Sequence, residues 1–260
     1  PYLLKTQKRI ILKYKELQKM THYDKKIRNS VIAFVTATAI ICITVTASYF
    51  AIYGPHATTF LGNKDKKAAE YANAGVDATR GEIVFFGDSI TEMCNLKEYY
   101  PSLNACNRGI SGDTTEDMLN RLKSNVIDVE PAKIVFLGGT NDIGKNIAPQ
   151  DIANNIQSII RQTQEALPNC KIYIQSVYPV NPVRKPTFFS QTGRRSNAAI
   201  DELNVLLQDL CNQCDCAYID VNSSLKDQDG NLKSEYSVDG LHLTKEGYIR
   251  IASIITPYII

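Results

Sequence analysis

Two residue types with complementary chemistry stand out, a serine at the end of an apolar run and a histidine late in the chain. Ser89 lies in Gly87-Asp88-Ser89-Ile90-Thr91, directly after the run Ile83-Val-Phe-Phe86. A serine hydroxyl is a weak nucleophile near neutral pH, so a base must take its proton, and histidine is the usual one. Of the three histidines, His22 and His56 flank an N-terminal apolar segment, which leaves His242 for the rest of the chain. His242 stands in Ser237-Val-Asp-Gly-Leu-His-Leu-Thr244, with Asp239 three residues earlier across a glycine that permits a tight turn. Such a loop can bring the carboxylate to Nδ1 and fix the tautomer, so that Nε2 faces the serine. Taken singly, Ser89 or Asp88 reads as a helix N-cap and His242 as a structural residue near a helix start. The sole histidine of a domain, three residues after an aspartate, favours a Ser-His-Asp arrangement instead.

Acyl transfer also needs donors aimed at the developing oxyanion, each worth about 2.7 to 4 kcal/mol. Two loops supply them. Gly138-Gly139-Thr140-Asn141-Asp142 follows the apolar run Ile134 to Leu137, and its Asn141 amide is a candidate donor. Asn107-Arg-Gly-Ile-Ser-Gly-Asp113 ends another strand candidate and presents the Gly112 N–H. Singly, both residues also fit plain turns. A further stretch, Tyr178 to Arg195, is Pro-rich and carries Arg184, Lys185, Arg194 and Arg195 with Phe188 and Phe189. It reads either as a rim recognising an anionic polysaccharide or as a solvated loop. Asp88, Arg184 and Lys185 are the candidate substrate-binding residues.

The elements that must position these groups follow from hydrophobic periodicity. Runs of apolar, β-branched residues at 83–86, 134–137, 172–177 and 217–221, with a weaker one over 103–107, predict strands. Between them, 114–122, 152–167, 197–211 and 244–255 repeat apolar residues at spacings of three and four, as amphipathic helices do. Regular alternation of strand and helix predicts a three-layer α/β/α domain with a parallel, flavodoxin-like sheet over residues 81–260. Ligands of such sheets bind beyond the carboxyl ends of the strands, where every candidate above is found.

Residues 1–28 carry nine Lys or Arg against Glu16 and Asp24. The remainder then has 20 basic and 25 acidic residues, so the globular part is acidic and lacks the basic face that a nucleic-acid binder needs. No charged residue lies between Arg28 and Lys64, and Val31 to Tyr53 is 23 residues of mainly apolar and small type. A helix of that length spans about 30 Å of hydrocarbon, so 29–53 reads as a transmembrane signal-anchor, with a cleaved signal peptide as the rival. The positive-inside rule puts residues 1–28 in the cytoplasm and the domain outside, after a stalk over 54–80. Six of the seven cysteines follow the span. The group Cys211, Cys214 and Cys216 lacks a second ligand pair for zinc, and is read as capping a helix end or pairing with Cys170 or Cys106.

Four blocks, GDSI, NRGISGDTT, GGTND and DGLH, in this order over residues 82–258, resemble the SGNH (GDSL-like) hydrolase family. The longer strings NRGISGDTTEDMLNRL and DGLHLTKEGY are similar to the branch that includes platelet-activating-factor acetylhydrolase catalytic subunits and bacterial carbohydrate acetylesterases. The nucleophile block reads GDSI where the family name spells GDSL, and no G-x-S-x-G elbow occurs. The resemblance implies Ser89 as nucleophile, His242 as base and Asp239 as its partner. It also implies an oxyanion hole from the Ser89 and Gly112 N–H groups and the Asn141 side chain, and needs no metal or cofactor. The resemblance implies an esterase removing short acyl groups, chiefly acetyl, from a sugar or lipid, and the expected membrane anchor, which turns the domain outward, selects cell-wall or other glycans. The alternatives are a lysophospholipase or thioesterase acting on lipid and, from another class, an inactive glycan-binding module.

Overall fold

Five short runs rich in β-branched and aromatic residues form the sheet in the computed structural model, which describes residues 64–74, 83–182 and 192–260. They are β1 (Ile83–Gly87), β2 (Ala105–Gly109), β3 (Lys133–Leu137), β4 (Lys171–Gln175) and β5 (Ala217–Ile219). All pairs are parallel, in the order β2-β1-β3-β4-β5. Every residue of β1 is buried, as expected of a central strand covered on both faces.

A helix over 64–74 (α1) precedes the sheet. The others are α2 (Ser89–Glu92), α3 (Leu96–Tyr99), α4 (Thr115–Asn125), α5 (Thr140–Gly144), α6 (Pro149–Ala166), α7 (Asn197–Cys214), α8 (Asn222–Leu225) and α9 (Lys245–Ile259). Successive side chains of a strand point to opposite faces, and β1 shows both layers. Phe85 meets the Tyr100 ring at 4.9 Å, on the side where Tyr99 of α3 stacks on Tyr248 of α9. Phe86 meets Phe136 and the Arg121 guanidinium of α4. α6 and α7 turn Ile152, Ile156, Ile160 and Ile200, Leu203, Leu207 inward at helical spacing. Full burial of each such side chain contributes about 1.5 to 3 kcal/mol relative to exposure.

The predicted α/β/α architecture and flavodoxin-like sheet are thus present, with boundaries displaced where side chains compete for the backbone. β4 stops at Gln175, two residues before the predicted end. The Ser176 hydroxyl there accepts from the N–H groups of Val221 and Asn222, while the Asn204 amide takes both the N–H and the C=O of Val177. The same contacts end β5 at Ile219. β2 runs to Gly109 because its register sets Ala105 opposite Ile83 and Gly109 opposite Gly87.

Within the segment 54–80, expected as a stalk, residues 64–74 form α1 and pack on the domain. The sequence KDKKAAEYANA is rich in good helix formers. Tyr71 Oη donates to the Gly109 carbonyl and Asn125 Nδ2 to that of Ala68. The described cysteines form no disulfide, so of the two alternatives for the group Cys211, Cys214 and Cys216 the structure takes the helix end and not the link to Cys170 or Cys106. Cys216 instead donates its N–H to the Cys211 carbonyl beyond the end of α7. Among the described residues no helix is long and apolar enough to cross a membrane. The anchor expected over 29–53 and the basic segment 1–28 lie outside the described residues.

Candidate active site

Ser89 owes its position to the glycine that ends β1. A Cβ on Gly87 would lie 2.3 Å from Thr91 Oγ1 and 2.5 Å from the Leu137 carbonyl oxygen, so only glycine lets the chain turn there into α2. Asp88 caps α2, with Oδ1 accepting the Ile90 N–H at 2.9 Å. Its side chain is wholly buried behind Ser89 and does not line the cleft, so the structure places it as a cap and not as the substrate contact expected from sequence. Burial pushes the Asp88 carboxyl up to about 6, against the opposing Ile90 hydrogen bond and the nearby Arg195 guanidinium. Ser89 opens α2 and points its Oγ to within 3.0 Å of His242 Nε2.

The loop carrying His242 is folded by its own aspartate. Asp239 Oδ1 accepts the backbone N–H groups of Leu241 at 3.0 Å and His242 at 2.8 Å, and Oδ2 stands 2.7 Å from His242 Nδ1. Gly240 adopts φ 92°, the left-handed region, and a Cβ on it would meet the Asn181 carbonyl oxygen at 2.4 Å. Burial alone would raise the Asp239 carboxyl, but the three contacts with His242 and Leu241 hold it below the ordinary range. Asp239 is therefore charged at neutral pH and sets the Nδ1–H tautomer, leaving Nε2 as the lone-pair nitrogen toward Ser89.

Gly112 and Asn141 reach the same cleft from β2 and β3. Gly112 sits at φ 77° and its carbonyl accepts Lys64 Nζ of α1 at 2.7 Å. Asn141 Nδ2 donates to the Asp113 carbonyl at 2.9 Å, and Asn141 Oδ1 accepts from Arg195 Nη2 at 2.7 Å. Two buried groups join these loops. Asp142 takes the Thr115 N–H and hydroxyl at the start of α4. Arg121 reaches Asp113 Oδ2 at 2.7 Å and the carbonyls of Arg108 and Gly87 at 2.9 Å. Asn107 adds a brace, donating Nδ2 to the carbonyls of Thr91 and Cys94.

The resulting cleft, of about 350 Å³, is lined by Ser89, Met93, Ser111, Gly112, Asn141, Gly144, Lys145, Arg195, Leu241 and His242. Of the residues predicted as triad and oxyanion hole, Ser89, Gly112, Asn141 and His242 line it, and Asp239 stands directly behind His242. Arg184 and Lys185 lie outside the described residues. Arg194 is exposed, whereas Arg195 turns into the cleft. Sequence reasoning grouped Arg195 with the rim and passed over Lys64, Arg121 and Asp142. The one signal for Arg121 was its place on the inner stripe of α4, one turn after Met118.

A serine held against a histidine, with an amide and backbone N–H groups across a small cleft, is an arrangement suited to acyl transfer. A sequence profile described as the GDSL-like Lipase/Acylhydrolase family matches residues 85–250. Platelet-activating factor acetylhydrolase IB subunit alpha2 of Homo sapiens is 29% identical over 205 residues, covering 76% of this chain and 85% of its own. A solved Streptococcus pneumonia structure, described provisionally as a platelet activating factor, is 29% identical, with a TM-score of 0.71 over 85% of this chain and 99% of its own. The lipase/acylhydrolase from Enterococcus faecalis superposes with a TM-score of 0.59 at 24% identity, over 70% of this chain and 95% of its own, and speaks for the fold alone.

Proposed function

We propose, since this chain belongs to the GDSL-like lipase/acylhydrolase family and is a carboxylic ester hydrolase, that it removes short acyl groups by a Ser89-His242-Asp239 mechanism. The observation that carries this reading is the line Asp239 Oδ2, His242 Nδ1, His242 Nε2, Ser89 Oγ, with spacings of 2.7 and 3.0 Å at its two gaps. In the first step Ser89 Oγ passes its proton to His242 Nε2 and bonds to the ester carbonyl carbon. The carbonyl oxygen becomes an oxyanion facing the N–H groups of Ser89 and Gly112 and the Asn141 amide. His242 then returns the proton to the leaving alkoxide as the tetrahedral intermediate collapses. Water repeats the sequence on the acyl-enzyme, giving the free acid and restoring the serine. Asp239 stays ionised and stabilises the imidazolium formed in each half.

An acetyl group on a glycan is the substrate we favour. A cleft of about 350 Å³ stands at the small end of ligand pockets, and a relative of 29% identity is named an acetylhydrolase. The glycan follows from the anchor proposed over the apolar residues 31–53, which would hold the domain outside the cell, facing acetylated surface polysaccharide. A series of p-nitrophenyl esters tests the acyl length. Peak kcat/KM at two to four carbons is the expected result, and a peak beyond about eight would turn the reading to lipid. Ser89→Ala tests the mechanism. It should lose fluorophosphonate labelling and lower hydrolysis of p-nitrophenyl acetate by roughly 10³-fold or more, as loss of a triad nucleophile does. Retained turnover would sink the assignment of Ser89 as nucleophile, whereas glycan binding by the parent protein without turnover would mark a binding module.

A further inference from the structure

An oxyanion hole that uses an asparagine side chain has a weakness that backbone donors lack. The two ends of a carboxamide have nearly the same shape, and a half-turn about the last bond replaces the donor with an acceptor. In this protein the neighbours of Asn141 decide the matter from both sides. A carbonyl oxygen, which can only accept, meets Nδ2 from Asp113, and a guanidinium, which can only donate, meets Oδ1 from Arg195. One Nδ2 hydrogen is committed to Asp113, so the other is available toward the cleft that Asn141 shares with Ser89, Gly112 and His242.

Arg195 is itself tightly held. Its Nε donates to Thr140 Oγ1 at 3.1 Å and its Nη1 to the Thr192 carbonyl at 3.2 Å. It stands immediately before Ser196, the N-cap of α7, so a long helix anchors its backbone. Gly144 makes room for it, since a Cβ there would lie 3.0 Å from Arg195 Cζ. A positive charge hydrogen-bonded to an amide oxygen draws electron density from the amide nitrogen and strengthens its N–H as a donor.

We infer that Arg195 is a positioning residue for the oxyanion hole, holding the Asn141 amide with Nδ2 toward the reacting carbonyl and polarising it through Oδ1. This rests on the proposed role of Asn141. Arg195 acts through that side chain, and its effect is therefore conditional on it.

A double-mutant cycle with p-nitrophenyl acetate is the test. Asn141→Ala should lower kcat by about 10²-fold, within the range for loss of one oxyanion donor. Arg195→Met should lower kcat about 10- to 30-fold with KM little changed, and should cost less than about 3-fold further when Asn141→Ala is already in place. Gly144→Ala keeps the arginine and its charge, improves helix propensity, and crowds the guanidinium by one methyl group. It should lower kcat about 2- to 5-fold, again only while Asn141 is present. Equal losses from Arg195→Met or Gly144→Ala in the parent and in the Asn141→Ala variant would overturn the inference and leave the role of Asn141 intact. Unchanged kcat in Asn141→Ala would overturn both.

Discussion

The two sides of the cleft are built by opposite means. On the base side, Asp239 holds the backbone of Leu241 and His242 and the His242 ring, and Ser237 Oγ accepts the Gly240 N–H at 2.6 Å, all within six residues. On the oxyanion side, Gly112 and Asn141 depend on Lys64, Asp113 and Arg195, which are 48, 28 and 54 residues away from the groups they touch. The first side takes most of its order from its own residues, with the Asn181 N–H bond to the Gly240 carbonyl at 2.8 Å as its distant brace. The second exists only when β1, β2 and β3, their loops and three helices have come together. Damage to the base side should thus appear in chemistry with stability little changed, and damage to the oxyanion side in both.

The largest expected effect comes from breaking the base side. Asp239→Asn should lower kcat by about 10³- to 10⁴-fold, because an amide can no longer stabilise the imidazolium or enforce its tautomer. Its urea midpoint should stay near that of the parent, since an Asn side-chain oxygen can still accept the two loop N–H groups. A large loss of stability would mean that this loop is not autonomous.

Arg121 is the corresponding hub on the other side. It is buried against Phe86 and bonded to Asp113, Arg108 and Gly87. Burial lowers its pKa and raises that of Asp113, while their mutual attraction opposes both shifts. Arg121→Met leaves the buried Asp113 carboxylate with Lys64, 3.2 Å from its Oδ1, as its remaining cation and should cost about 3 kcal/mol of stability in urea unfolding. An accompanying loss of kcat would sharpen the comparison, since Arg121 does not line the cleft. Unchanged stability would remove the distinction drawn between the two sides.

Asp88 lies beneath the nucleophile where the two sides meet. Its carboxyl moves from 3.8 to about 6 on folding, so the native state holds the proton more tightly than the unfolded chain. Stability from this group is full below pH 3.8 and is lost as pH rises to about 6. At about 1.4 kcal/mol per pH unit this amounts to about 3 kcal/mol. Asp88→Asn keeps an oxygen to cap Ile90 and cannot ionise. It should be more stable than the parent above pH 6 by a margin that vanishes near pH 4, as followed by denaturant midpoints. A margin that did not depend on pH would contradict the burial argument.

The smallest effect is expected at the outermost brace. Lys64 of α1 bonds to the Gly112 carbonyl and pairs with Asp113 and Asp117, whose carboxyl the lysine and the Thr114 N–H bring down to about 2 against its partial burial. Lys64→Met should reduce kcat about 2- to 5-fold and stability by roughly 1 kcal/mol or less, because the pair is partly open to solvent. A loss as large as that of Asn141→Ala would make α1 part of the catalytic apparatus.

How much of this was written in the sequence follows the same division. The Asp-x-x-His loop was legible because Ser237 and Asp239, which hold its turn and its ring, lie within a few positions, while its one distant brace, the Asn181 N–H on the Gly240 carbonyl, left no mark in the spacing. The strands were legible because a run such as IVFF is buried on both faces and needs no distant partner to declare itself. α1 escaped notice because its polar, Ala-rich sequence has no continuous apolar stripe, and it is held by polar contacts of Lys64, Lys67 and Tyr71 and by a bond from Asn125. Asp88 was misplaced because a carboxylate beside a nucleophile has the same sequence signature whether it faces the substrate or caps the helix behind it.

By itself, then, the sequence determined the α/β alternation, the place of Ser89 at the end of β1 and the pairing of Asp239 with His242, all of which depend on short-range spacing. Only the tertiary structure decided that Arg195 turns into the cleft, that the Asn141 amide gives Nδ2 to the Asp113 carbonyl and Oδ1 to Arg195, and that Lys64 rests on the Gly112 carbonyl. Those choices are made by groups far apart along the chain, whose hydrogen-bonding capacities match only after the sheet has brought the loops within about 3 Å of one another.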